Sequence, residues 1–141
     1  MSATVRVRLL AVGSCHAKAW FVDGRRGGGE LTFPAMVAVI DHPRAGTILF
    51  DTGYGAPLLE SKSRAARFYR RALPFHLAED ERIVRQLEGL GVRPTELRAI
   101  FLSHFHPDHV GGLRELPAVP LIYSREGLDE LRRLRGLPWL R

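Results

Sequence analysis

Four apolar residues, Ala99, Ile100, Phe101 and Leu102, stop at Ser103, and His104, Phe105, His106, Pro107, Asp108 and His109 follow without a break. An apolar run of that length reads as a buried strand. The polar cluster then occupies the loop leaving its C-terminal end, which is where open α/β sheets place their sites. A chain built around such a strand needs helices to cover it, so the expected architecture is layered α/β.

The rest of the chain agrees with that frame. Val5, Val7 and Leu9 alternate with Arg6 and Arg8, the period of a strand with one wet face at its start, and a strand is expected over 5–12. From Gly13 to Pro34 the pattern dissolves into glycine and charge, with Gly27, Gly28 and Gly29 in a row, so a mobile excursion or tight turn is expected there. Met36 to Ile40 and Thr47 to Phe50 flank a proline and glycine turn and predict a hairpin. Residues 55–76 are expected to be partly helical, with Pro74 preventing one long element. A surface helix is expected over 78–90: Ile83, Val84, Leu87 and Leu90 share a face, Glu79, Asp80 and Glu81 fill the first turn, and Gly91 follows. Val119 to Tyr123 predicts another strand. Ser124 is placed to cap a helix over 125–135, in which Leu128, Leu131 and Leu134 form one stripe and Gly136 with Pro138 marks the stop. Trp139, Leu140 and Arg141 read like a chain interrupted before its next element.

In the cluster, His104 and His106 are two apart, so in an extended segment both side chains point the same way and can reach one metal. After a turn at Pro107, Asp108 and His109 can face a second point a few ångströms away. Imidazole and carboxylate suit zinc and its borderline neighbours, and no cysteine lies nearby to build a thiolate site. Phe105 is expected to turn into the core and fix the direction of its neighbours. The run lacks the glutamate of the helical H-E-x-x-H pattern, which favours a metal-bound hydroxide as nucleophile. Two metals roughly 3.5 to 4 Å apart would acidify a bound water and stabilise an oxyanion, which is hydrolytic chemistry without an organic cofactor. Gly111 and Gly112 sit where the chain must approach something closely.

Asp51 ends the second hairpin strand. Its carboxylate either accepts a hydrogen bond from a ligating imidazole or makes an ordinary turn with the backbone nitrogens around Gly53. Cys15 and His16 are adjacent, which puts their side chains on opposite sides of an extended backbone and is no evidence of a dyad. His42 and His76 stand in loop regions without companion ligands. Cys15 is the sole cysteine, so no intrachain disulfide is possible and a reducing compartment is the simpler assumption. The net charge of +6 is carried almost wholly by arginines scattered from Arg6 to Arg141, a distribution unlike a nucleic-acid footprint. The N-terminal apolar run is too short for a signal peptide, and no stretch approaches the roughly 20 apolar residues of a membrane span. A soluble, cytoplasmic protein acting on a small molecule, with neither nucleic acid nor membrane as partner, is the expectation.

Ser103, His104, Phe105, His106, Pro107, Asp108, His109, Val110, Gly111 and Gly112 resemble the H-x-H-x-D-H signature of the metallo-beta-lactamase superfamily, and Asp51, Thr52 and Gly53 resemble its upstream Asp-Thr-Gly strand end. The Gly13, Ser14, Cys15 turn, the long arm after Asp51 and the acidic helix start at Glu79 look most like the N-acyl homoserine lactone lactonases. The resemblance implies an αββα sandwich in which His104 and His106 bind a first zinc and Asp108 and His109 a second. It also implies that a hydroxide held there attacks the lactone carbonyl and that Asp108 takes part in moving a proton. It covers essentially the whole chain, 1–141, yet only the N-terminal half of the family's single domain. The family's third histidine for the first metal, its bridging aspartate, its last histidine and its tyrosine come from the other half, and no histidine follows His109. An incomplete lactonase with little activity alone is therefore expected. The alternatives are a glyoxalase II-like thioesterase, kept open by Arg64, Arg67, Arg70 and Arg71, or an inactive half-domain that binds a partner chain or forms a homodimer. A lactonase would gather apolar side chains such as Leu58, Leu59, Phe68 and Phe75 around an acyl tail.

Overall fold

The computed structural model describes residues 4–24 and 29–135. β1 (Arg6–Lys18) is followed by the short α1 (Ala19–Asp23) and runs antiparallel to β2 (Glu30–His42), and β2 runs antiparallel to β3 (Gly46–Phe50). The β2–β3 turn is the expected hairpin: His42 Nδ1 accepts from the backbone nitrogens of Arg44 and Ala45, and Gly46 takes the left-handed φ of 80°. From β3 the chain passes through α2 (Ala56–Glu60) and α3 (Arg64–Ala72), which ends before Pro74 as expected. It adds β4 (Phe75–His76) beside β1, crosses through α4 (Ile83–Gly89) and a 3-10 turn at Pro94–Glu96, and returns as β5 (Leu97–Phe101) parallel to β3. α5 (Pro107–Val110), a 3-10 segment (Gly111–Glu115), β6 (Leu121–Ile122) parallel to β5, and α6 (Arg125–Arg135) complete it. The sheet order is β4-β1-β2-β3-β5-β6. Among the described residues no helix is long and apolar enough to cross a membrane.

The alternation of the strands gives the sheet two apolar faces. On one, Val12, Val37, Val39, Leu49 and Ile100 are buried with Ile83 and Leu87 of α4 and with Leu102 and Leu116. On the other, the pairings Val7↔Ile40, Leu9↔Ala38, Ala38↔Phe50 and Phe50↔Phe101 put an apolar set side by side, with Ile122 next to Phe101. Phe50 and Phe101 stack with ring centroids 5.1 Å apart. Even so, this face stays open: Leu9 is 67% exposed and Val7 54%. The opening alternation of β1 is therefore inverted in use, for it is Arg8 that lies under cover, paired with Asp41 at 2.8 Å, while Val7 and Leu9 face out.

Three expectations need correction. The segment 13–34 was expected as a loose excursion, but β1 continues past a bulge between Ala11 and Ser14 and pairs with β2 as far as Lys18↔Glu30. Ladder hydrogen bonds between the two ends of this segment stabilise it, and those leave no alternation to read. The helix expected from 78 begins at Ile83, because Glu81 turns back and accepts from the Ala78 nitrogen at 2.8 Å, closing a turn instead of a first helical turn. His76 lies in β4, not in a loop. Ser124 caps α6 as expected, its Oγ accepting from Gly127 N at 3.0 Å. Gly27, Gly28, the helix stop at Gly136 and Pro138, and Trp139 to Arg141 lie outside the described residues.

Candidate metal centre

The site is built where β3 and β5, parallel neighbours, end side by side. Asp51 closes β3 with a φ of 61°, the one positive φ among the described non-glycine residues, and is 2% exposed. Aspartate tolerates this conformation better than most side chains, and here its surroundings over-determine it. Its nitrogen donates to Phe101 O at 2.8 Å, its Oδ1 accepts from Ser103 N at 2.8 Å, and its Oδ2 accepts from Ser103 Oγ at 2.7 Å and faces His109 Nδ1 at 2.8 Å. The carboxylate thus ties the two strand ends together, and the alternative of a local turn around Gly53 is not what the structure contains.

The next residues fasten the loops along their length. Thr52 donates from both N and Oγ1 to His109 O, at 2.8 and 2.9 Å, and Gly112 N donates to Gly53 O. Close approach accounts for the glycines: a Cβ on Gly111 would stand 2.7 Å from Gly55 N. Glu115 anchors the far side, accepting from Ala56 N at 2.7 Å and from Arg82 Nε at 3.0 Å. Phe105 turns inward as expected, packing against the core and meeting Tyr123 edge-on at 5.7 Å.

All four expected residues come together. His104 Nε2 and His106 Nδ1 are 3.1 Å apart, the His104 and His109 rings lie 3.9 Å apart, and His109 Nε2 is 3.1 Å from Asp108 Oδ2. The donors engage one another, and among the described residues no three His, Cys, Asp or Glu side chains surround a common point in the manner of a formed metal site.

Proton counting shows what this cluster fits. Ser103 has one hydroxyl hydrogen, and the Asp51 carboxylate at 2.7 Å is its strongest acceptor. The contact of Ser103 Oγ with His104 Nδ1 at 3.0 Å then requires the imidazole to donate, so His104 Nε2 is the acceptor in its 3.1 Å contact with His106 Nδ1. Asp51 likewise holds a hydrogen of His109 on Nδ1, and Nε2 faces the Asp108 carboxylate at 3.1 Å. A carboxylate oxygen and an imidazole nitrogen at that distance are held together either by a proton or by a metal cation that both ligate. One buried aspartate therefore orients two histidine rings, His109 directly and His104 through a serine, and turns their Nε2 atoms toward His106 and Asp108. Imidazole nitrogens and a carboxylate held close together in this way are the donor types that a divalent cation takes. Burial first, then repulsion from His109 and His106, holds the His104 imidazole below its ordinary range, in the neutral form a cation needs.

Ser103 was read from the sequence as a strand end alone; its hydroxyl is the link between Asp51 and His104. A second polar group also escaped sequence reading. Tyr54, 1% exposed, stacks on Phe75 at 4.3 Å, and its hydroxyl lies 3.3 Å from that of Tyr69. Its position straight after Asp-Thr-Gly was the signal available. Cys15 and His16 form no dyad: His16 Nδ1 meets Thr32 Oγ1 at 3.2 Å, and Cys15 lies against Tyr54.

The fold and this constellation define a class, and comparison with known proteins agrees. The chain belongs to the metallo-beta-lactamase superfamily, whose family model matches residues 32–138. Among its relatives, a probable metallo-hydrolase of Mycobacterium tuberculosis is 37% identical over 76 residues, which are 54% of this chain and 24% of that protein. The N-acyl homoserine lactonase AttM of Azorhizobium caulinodans is 26% identical over 127 residues, 86% of this chain and 47% of its own. A solved N-acyl homoserine lactone hydrolase, with its product N-hexanoyl-L-homoserine bound at the catalytic metal centre, superposes with a TM-score of 0.74 at 25% identity, covering 92% of this chain and 52% of that one. The chain thus spans between about a quarter and about half of the relatives it matches.

Proposed function

We propose that residues 1–141 are the N-terminal half of a single metal-dependent hydrolase domain that opens the ring of N-acyl homoserine lactones or closely related lactones. The observation that carries this reading is the Asp51 carboxylate, buried between two strand ends and holding His109 Nδ1 directly and His104 Nδ1 through Ser103. In this reading His104 and His106 hold one zinc ion, and Asp108 and His109 hold another. Such a pair of ions, when bound, supplies an acidified water and a Lewis acid for the developing oxyanion. The chain's own part is to orient the His104 and His109 rings, to hold His104 neutral through its burial, and to offer Asp108 as the group that takes up or returns a proton at the reacting carbonyl.

Two side chains per ion are fewer than the three or four protein ligands that zinc ordinarily takes. The remaining donors must come from another half of the domain or from a partner chain, and the open apolar face of the sheet is what such a half would cover. The coverage of relatives by about half their length supports the same reading. The thioesterase alternative loses one of its four arginines, since Arg70 donates to the carbonyls of Leu58 and Ser61.

Calorimetric zinc titration and lactone hydrolysis, each with and without a separately supplied C-terminal half of a relative, test the proposal. Weak zinc binding and slow turnover by the chain alone, with both restored by the added half, are expected. Tight binding of two ions and fast turnover by the 141 residues alone would overturn the half-domain reading. Preference for thioesters over acyl lactones in the restored protein would overturn the lactonase assignment.

A further inference from the structure

The tyrosine pair is a buried polar group, in electrostatic reach of the metal cluster, to which the chemistry above gives no task. Tyr54 follows the Asp51–Gly53 strand end, and its backbone nitrogen donates to Val12 O at 3.1 Å. Its ring is clamped: Phe75 stacks on it with an interplanar angle of 7°, and Gly13 leaves room for it, since a Cβ there would lie 3.2 Å from Tyr54 Cδ2. Tyr69 of α3 is half-buried and meets the same Phe75 at 6.3 Å. Its phenol lies within electrostatic reach of the Asp108 carboxylate.

Hydrogen counting again decides the polarity. The buried Tyr54 hydroxyl has two neighbours for its one hydrogen, the Tyr69 oxygen at 3.3 Å and the Cys15 thiol. A phenol oxygen is the better acceptor, and sulfur the weaker one. Tyr54 therefore donates to Tyr69, and the hydrogen of Tyr69 has no protein acceptor of its own among the described residues. A hydroxyl that accepts one hydrogen bond becomes a stronger donor of the next. Both phenols also stay protonated: burial above all holds each above the ordinary tyrosine range. The result is a neutral, preorganised donor beside the candidate centre.

We propose that the Tyr69 hydroxyl is a substrate-binding and specificity-determining group that donates a hydrogen bond to a carbonyl oxygen flanking the scissile bond, in the lactonase reading the amide carbonyl of the acyl arm. A neutral donor suits a carbonyl, whereas an anionic group there would face Asp108. The apolar ring of Phe75 behind it suits the first methylenes of the same arm. This inference rests on the lactonase reading of the site.

The test is Tyr69→Phe, which removes one oxygen from a half-buried side chain, assayed in the zinc-loaded protein completed by its second half. For an N-acyl homoserine lactone, KM is expected to rise about tenfold, the worth of one hydrogen bond, with kcat within about twofold. For a plain γ-lactone without an amide arm, the variant should match the parent. Equal KM for both substrates, or equal losses on both, would overturn the proposal. A second measurement needs no turnover. With tyrosine Cζ labelled by carbon-13, addition of N-hexanoyl-L-homoserine should shift the resonance that Tyr69→Phe deletes, and an unmoved resonance under saturating product overturns the assignment. If the parent neither binds product nor cleaves any lactone, the lactonase reading itself has failed and this inference falls with it. Normal cleavage with an unmoved Tyr69 signal removes the inference alone.

Discussion

The two faces of the sheet are made of similar residues and have opposite fates. Toward α4, Val12, Val37, Val39, Leu49 and Ile100 are at most 1% exposed, whereas Leu9, Val7, Ile122 and Met36 on the other side are 67%, 54%, 48% and 44% exposed. Aliphatic content does not separate them, since both carry valine, leucine and isoleucine, and it is the open face that holds the aromatic pair Phe50 and Phe101. What separates them is whether an element later in the chain returns to cover them, and α4 does so for one face through Ile83 and Leu87. A large apolar patch left open on a sheet marks an interaction surface or a missing layer. The metal cluster stands at the rim that the two faces share, so half of its surroundings belong to whatever covers the open side.

The comparison makes its largest claim about Leu49. Truncation to alanine removes a fully buried side chain from the covered face and should cost about 3 kcal/mol, with a matching fall in the urea midpoint. A loss under about 1 kcal/mol would mean that the α4 side is packed no better than the open one. Next in size is Asp51→Asn at the rim. Asparagine accepts a φ of 61°, so the exchange isolates the charge from the backbone strain. It leaves the Ser103 and His109 hydrogens with a poorer acceptor, and about 1–3 kcal/mol of stability should be lost. Zinc affinity should fall about 10- to 100-fold through the misdirected imidazoles. Unchanged zinc affinity in calorimetry would show that Asp51 is structural and nothing more.

How much of this was legible in the sequence follows the same division. The strand expected at Ala99–Leu102 and found at Leu97–Phe101 with Phe101 exposed, the hairpin, the helix stripe Ile83/Leu87 and the approach of His104, His106, Asp108 and His109 to one another were readable because each is encoded locally, in period, turn residues or spacing. The arm over 13–34 was not, because its strands are held by backbone bonds across the β1–β2 ladder and carry no alternation. The start of α4 was misplaced because acidic residues before a helix serve a preceding turn as well as a first helical turn, and Glu81 chose the former. Ser103, Tyr54 and Tyr69 escaped because their roles depend on partners 15 to 52 residues away. Which apolar face would be covered was equally hidden: alternation gives the faces, and tertiary contact decides between them.

A smaller effect tests the covered side through its tyrosines. Burial, followed by the bond to Tyr69, holds the Tyr54 phenol above its ordinary 10.0 in the folded chain. The unfolded chain releases its proton near pH 10 and the folded chain does not, so the stabilisation is complete below pH 10 and is lost as pH rises past it toward the folded value. The loss should approach about 1.4 kcal/mol per pH unit for one such group. Urea midpoints between pH 9 and 11 should fall steeply for the parent and more gently for Tyr54→Phe; parallel slopes would show that Tyr54 is not protected from ionisation.

The smallest shift in stability is expected at Leu9, and it bears most directly on the comparison. Lysine at a position 67% exposed should change the melting free energy by no more than about 0.5 kcal/mol, since nothing is displaced and no cavity forms. The same substitution places a charge in the middle of the open face, opposite Ala38 and two residues from Val7, and should lower self-association, read by light scattering at rising protein concentration. Added together, a neutral effect on the melt and a gain in dispersity describe a face waiting for a partner. If Leu9→Lys instead costs as much stability as Leu49→Ala, the two faces are equally covered, and the half-domain account has lost its physical basis.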